Sequence, residues 1–104
     1  MKGETMPEVI DRKFKFKAVS IHSGKQFTEK NAIVFLAKDA LVPALLKYYE
    51  QLCRTQECDE RQIKAVELLR ERVEKYQAMY PRKVSFPDVA EGEEEKRVCK
   101  PNKD

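Results

Sequence analysis

The 104-residue chain has no tryptophan, one histidine, three glycines and three cysteines, and its longest apolar run, Ala32 to Ala37, is six residues. Each scarcity removes a class of function. A run of six falls far short of the roughly 18 apolar residues of a membrane helix, and the opening MKGETMPEVIDRK has no apolar signal core, so a cytoplasmic protein without a membrane partner is expected. Three cysteines, Cys53, Cys58 and Cys99, leave one thiol over in any disulfide scheme, and a C-x4-C spacing is not a metal knuckle. Reduced thiols, no metal and no other cofactor are expected. The single histidine, His22, restricts nucleophilic catalysis to a pairing with Cys53, and nothing beside that thiol in the chain would activate it. No catalytic residue is assigned, and an enzyme is not expected. Basic residues number 21 and acidic ones 18, so the net charge of +3 lacks the excess that binding a phosphate backbone usually requires.

What is present is pattern. Residues 1–11 mix charge with Gly3 and Pro7 and show no period, as a loose arm would. In RKFKFKAVSIHSG, Phe14, Phe16 and Ala18 alternate with Lys13, Lys15 and Lys17, the period of a half-buried strand. Val19 and Ile21 then fall on the lysine side, which predicts a bulge near Ala18 or a second covered face. HSGK, residues 22–25, shares its last residues with phosphate-binding loops but lacks the leading glycine and the following Ser or Thr, so it reads as a turn, with TEKN at 28–31 a second polar break. The apolar run Ala32 to Ala37 has no polar face. It predicts the second strand of a hairpin, covered on both sides and therefore by a second subunit on one of them.

After that run, Asp39 is placed to accept amides at a helix start, and Pro43 suits a first helical turn, so a helix should begin between 39 and 42. On this reading Lys38 and Asp39 form a joint. Leu41, Leu45, Tyr48, Tyr49 and Leu52, with Leu46 and Cys53, make one wide apolar stripe, the tyrosines read as core, with Lys47, Glu50 and Gln51 left for solvent. A second helix opens at Asp59, with Gln62 three residues on as in a capping box, and carries Val66, Leu69, Val73, Tyr76 and Tyr80 as a seam until Pro81. RKVSFPDV, residues 82–89, suggests a short edge strand with Val84 and Phe86 inward. Residues 90–104 are acidic, then basic, with too little apolar content for order. The expected fold is α+β: a β-hairpin or small antiparallel sheet packed on an antiparallel helix pair. It forms one domain, 12–89, followed by a disordered charged tail.

One binding surface stands out. Lys13, Lys15 and Lys17 share a face with aromatics interleaved, a combination suited to nucleotides, and Lys38 and Arg82 are the other cations proposed to hold an anionic ligand. A solvated lysine edge that discourages aggregation is the plainer reading of the same residues.

The stretches HSGKQFTEKNAIVFLAKDALVPALLKYY, QIKAVELLRERVEKYQ and VSFPDV, spanning roughly residues 14–89, resemble in overall pattern small uncharacterised proteins encoded by bacteriophages and prophages. The resemblance carries no catalytic motif and transfers no site residue. It implies a non-enzymatic, homo-oligomeric binding module of phage accessory type, working in the host cytoplasm by sequestering a nucleotide-like ligand as an anti-defence sponge. The alternative is an inhibitor or adaptor that binds a host protein. Single-stranded nucleic-acid binding ranks behind both, because the expected second strand supplies no further cations.

Overall fold

Residues 8–95 are described by the computed structural model, and they divide into two units, residues 8–34 with 89–95 and residues Phe35–Asp88. Part of the expected arm (1–7), most of the expected tail (96–104) and Cys99 lie outside the described residues. The architecture is α+β, with a two-stranded antiparallel sheet in the first unit and an antiparallel helix pair in the second.

In the first unit, β1 (Lys17–Val19) pairs with β2 (Gln26–Thr28), Lys17 opposite Thr28 and Val19 opposite Gln26. The turn read at HSGK joins them. The Ser20 amide donates to the Lys25 carbonyl at 2.8 Å, the Gly24 amide to the Ser20 carbonyl at 2.9 Å, and Gly24 takes φ +76°, a conformation that costs glycine little. The second polar break is also a turn, closed by the Thr28 amide donating to the Asn31 side-chain oxygen at 3.0 Å.

The strand expected at Ala32 to Ala37 is absent, and the short QFT segment takes its place. An apolar run alone cannot distinguish a strand from an extended segment held some other way, and here the Val34 amide is held by a side chain, Asp11 Oδ2, at 2.8 Å. Ile33 and Phe35 are exposed, so the chain itself leaves one side of this run open. No bulge forms at Ala18. β1 ends at Val19, and Ile21 lies in the turn with its side chain in solvent, which accounts for the slipped phase.

Asp11 organises this unit. It is buried, its Oδ1 accepts the Lys13 and Phe14 amides at 2.9 and 2.8 Å, and its own amide donates to the Glu29 carbonyl at 2.9 Å. Hydrogen bonds to a charged acceptor each contribute about 1.5–3 kcal/mol, enough to order a segment poor in apolar contacts. Glu29 plays a lesser version of this part, accepting the Phe16 amide at 3.1 Å. Its own backbone amide and that of Phe16 hold its carboxyl below the usual carboxylate range.

In the second unit, α1 (Val42–Thr55) and α2 (Glu60–Met79) are joined by four residues. They run antiparallel: Glu50 in α1 meets Arg70 in α2, while Gln77 near the end of α2 donates to the carbonyls of Ala37 and Asp39 just before α1. Val42, Cys53, Ile63, Val66 and Val73 form the buried core between them. The buried line of α2 is therefore Ile63, Val66, Arg70, Val73 and Gln77. The expected seam lay to one side of it, because a half-buried arginine and glutamine occupy positions that polarity alone assigns to solvent. After α2, Pro81–Lys83 form a 3-10 turn and Ser85 makes a single parallel bridge with Asp39. The edge strand at 82–89 is reduced to this bridge, with Val84 half-buried and Phe86 exposed.

Candidate functional site

The joint before α1 is built by Asp39. Its Oδ1 accepts the Leu41 amide at 2.8 Å and its carbonyl accepts the Val42 amide at 3.1 Å, so the carboxylate acts just outside the helix while Leu41 occupies the cap position. Pro43 falls in the first turn, where its missing amide leaves nothing unpaired. Lys38 belongs to the same joint: its carbonyl accepts the Ser85 amide at 3.1 Å and its side chain is exposed. Arg82, in the 3-10 turn, is exposed three residues before Ser85, so the backbone brings both cations to one end of the helix pair.

Asp59 caps α2 as expected, but its Oδ1 takes the Arg61 amide at 2.8 Å, and the Arg61 guanidinium closes on the same carboxylate at 3.0 Å. That side-chain bond, with the amide behind it, keeps the Asp59 carboxyl below its ordinary value. Gln62 is exposed beside the pair and lines a shallow, open depression with Asp59 and Arg61.

The lysine face belongs to the other unit. Only Lys17 lies in β1, yet the alternation extends ahead of the strand: Lys13, Lys15 and Lys17 are exposed while Phe14 and Phe16 are half-buried. Lys13 is engaged, its Nζ 2.9 Å from Glu93, whose carboxyl is held low by the Ala90 amide and then by Lys13. Lys15 and Lys17 are exposed and, among the described residues, form no ion pair, although the Lys15 charge contributes to holding the Glu29 carboxyl low. His22 sits exposed in the hairpin turn. Cys53 is buried on α1, and burial, then the neighbouring Cys58 thiol, pushes its own thiol up, the reverse of what a nucleophile needs. Among the described residues, no group of three His, Cys, Asp or Glu could hold a metal ion, and no helix is long and apolar enough to cross a membrane.

The most extensive feature lies on the helix pair. At about 100° per residue, Val42, Leu46, Glu50 and Cys53 form the line of α1 that faces α2, and Leu41, Leu45, Tyr48 and Leu52 form a second apolar line roughly a third of a turn away. Glu50, expected to face solvent, is buried instead, with Arg54 at 2.9 Å and Arg70 at 3.4 Å. Arg70 also reaches Glu74 at 3.3 Å, so one side of the helix pair carries an ion-pair network. Helical geometry places Leu45, Tyr48, Tyr49 and Leu52 of α1, with Leu69 and Tyr80 near α2's end, on the opposite side. These side chains are 40–61% exposed. The tyrosines thus project into solvent where core positions were expected. The Tyr76 and Tyr80 rings lie 4.9 Å apart, tilted by 48°, and Lys83 lies 5.0 Å over the Tyr80 ring. The pattern that could have revealed this face was present, since eight apolar residues on a 14-residue helix exceed what one neighbouring helix can cover.

Comparison of the chain with protein-family models, curated proteins and solved structures finds no match.

Proposed function

We propose that the chain is a non-enzymatic binding module that assembles with a second copy of itself through the apolar side of the helix pair. The exposed face of Leu45, Tyr48, Tyr49, Leu52, Leu69 and Tyr80 carries this reading. Together these side chains present on the order of 600 Å² of largely apolar surface, at the upper end of what a soluble monomer leaves uncovered. The 4-3-4 spacing of Leu41, Leu45, Tyr48 and Leu52 is that of a helix-packing seam. A two-fold axis through such a face would join two helix pairs into a four-helix arrangement, the commonest symmetry for this kind of contact. The ion-pair side would remain in water.

The phage accessory context and the host cytoplasm rest on the resemblance of the chain's overall pattern. Within that context the module occupies its target without transforming it. The target is a nucleotide-like anion held at the lysine face, and the available ammonium groups of Lys15 and Lys17 favour it. The engagement of Lys13 by Glu93 weakens the three-lysine version of that site. A host protein docked on the helix face is the competing reading, favoured by the same exposed side chains.

Light scattering coupled to size exclusion separates these possibilities. The wild-type chain should be at least dimeric at micromolar concentration, and a Leu45→Lys/Leu52→Lys double variant should be monomeric with its helical circular dichroism retained. A monomeric wild type, or a double variant that stays assembled, would overturn the reading. Native mass spectrometry of untreated protein should show a bound anion that is lost from a Lys15→Gln/Lys17→Gln variant. A chain that never carries one leaves the host-protein reading ahead.

A further inference from the structure

The end of α1 closes in a six-residue motif that brings two cysteines together. The Cys58 amide donates to the Cys53 carbonyl at 2.9 Å and the Glu57 amide to the Arg54 carbonyl at 3.1 Å, while Glu57 takes φ +56°. These are the nested hydrogen bonds and left-handed residue of a Schellman cap, in which the third residue from the helix end and the second residue beyond it place their side chains in contact. Here those two positions are Cys53 and Cys58. Both are free thiols, Cys53 buried and Cys58 exposed, and after burial the Cys58 thiol is the next cause that pushes the Cys53 thiol up.

We infer that Cys53 and Cys58 form a reversible dithiol–disulfide site that exchanges with small-molecule disulfides. The inference stands apart from the proposed docking face and does not need it. A cap of this kind brings side chains at these two positions together, which is the approach that a disulfide, with its Cα atoms about 4.4–6.8 Å apart, requires. Accessibility sets the order of steps. The Cys58 thiolate, formed by loss of its proton to solvent, attacks one sulfur of a disulfide such as oxidised glutathione, breaking its S–S bond, making a mixed disulfide and releasing one glutathione thiolate. Cys53 then loses its proton to solvent or to that thiolate and attacks the Cys58 sulfur, forming the Cys53–Cys58 bond and expelling the second glutathione. The protein gives up two electrons and two protons, and the small disulfide becomes two thiols. The raised thiol of Cys53 suits the second role, because a buried, protonated thiol is a poor first attacker. Oxidation fixes the helix end, the left-handed Glu57 and the approach to Asp59 that starts α2.

The full chain carrying Cys99→Ser is equilibrated with mixtures of reduced and oxidised glutathione, quenched with an alkylating reagent and weighed intact. The expected result is loss of both alkylatable thiols together, restored by dithiothreitol, with peptide mapping placing the bond between 53 and 58. The equilibrium constant should be larger in native buffer than in 6 M guanidinium on the order of tenfold, since the folded cap raises the effective concentration of one thiol at the other. In Cys53→Ser, the mixed disulfide at Cys58 should accumulate and persist. Two thiols that stay alkylatable in native buffer, a wild-type mixed disulfide that does not resolve, or a native constant no larger than the denatured one would each overturn the inference.

Discussion

Glu57 is, among the described residues, the non-glycine residue with positive φ, at +56°, and its replacement by glycine should stabilise the protein. An L-residue in the left-handed region costs roughly 1–2 kcal/mol because its Cβ crowds the following carbonyl. Glycine removes that cost but adds unfolded-state freedom worth about 0.4–1 kcal/mol. The Glu57 side chain is exposed and makes no hydrogen bond or ion pair among the described residues, so little opposes the gain. The net expectation for Glu57→Gly is about 0.5–1 kcal/mol of stabilisation, or about 2–8 °C in melting temperature for a domain of this size. Helical circular dichroism is the signal to follow, because the turn joins the two helices, and a reducing agent must be present so that no Cys53–Cys58 bond contributes. Urea titration should show a higher midpoint with an unchanged slope. Glu57→Asn should fall between the two, and Glu57→Val should be less stable than wild type, since a β-branched residue tolerates this conformation worst. A glycine variant no more stable than wild type, with Val tolerated equally, would mean that the chain does not take the left-handed turn. The adjacency of the two cysteines would then lose its basis.

Local polar signals survived translation into structure better than apolar ones. The turn at Gly24, the Thr28–Asn31 turn, the joint at Asp39, the cap at Asp59 and the stop at Pro81 all formed, because each depends on a bond or a steric limit within a few residues. The run Ala32 to Ala37 misled because being apolar says that a segment is to be covered, not how its backbone is satisfied, and the partner for its Val34 amide is a carboxylate 23 residues away. Asp11 could not be identified from its neighbours, since a buried aspartate with several amide partners looks in sequence like any other charge before a strand. Glu50 and Arg70 failed for the same reason: they lie 20 residues apart, and only the register of the helix pair makes them partners. That register also splits the wide apolar stripe of α1 into a line against α2 and a line left open. The open line of this helix, not the run Ala32 to Ala37, is the surface available to a second copy of the chain. The lysine face was legible as a face, because alternation persists in extended chain outside a ladder, but its pairing with Glu93 joins positions 80 residues apart.

Two further consequences concern the buried carboxylates. Asp11→Ala would strand the Lys13, Phe14 and Val34 amides, at about 1–3 kcal/mol for each that stays buried without a partner, whereas Asp11→Asn keeps an acceptor and should cost less. Hydrogen exchange should quicken at those three amides in the alanine variant, and unchanged protection would deny Asp11 its organising part. Glu50 gives a pH dependence whose sign follows from its partners. The Arg54 guanidinium holds its carboxyl below the ordinary value of 4.5 against the opposing effect of burial, with Arg70 adding to the depression. A carboxylate whose folded pKa lies below its unfolded one contributes stability in full above 4.5 and loses it as pH falls toward the folded value. Glu50→Gln should therefore be less stable than wild type at neutral pH. That gap should narrow below pH 4.5 and close once the wild-type carboxyl is protonated in both states. Thermal melts at half-unit steps from pH 7 to about 2.5 would trace this. A gap that stays constant across the range would mean that Glu50 acts through shape alone, and that its charge plays no part in setting the register of α1 against α2.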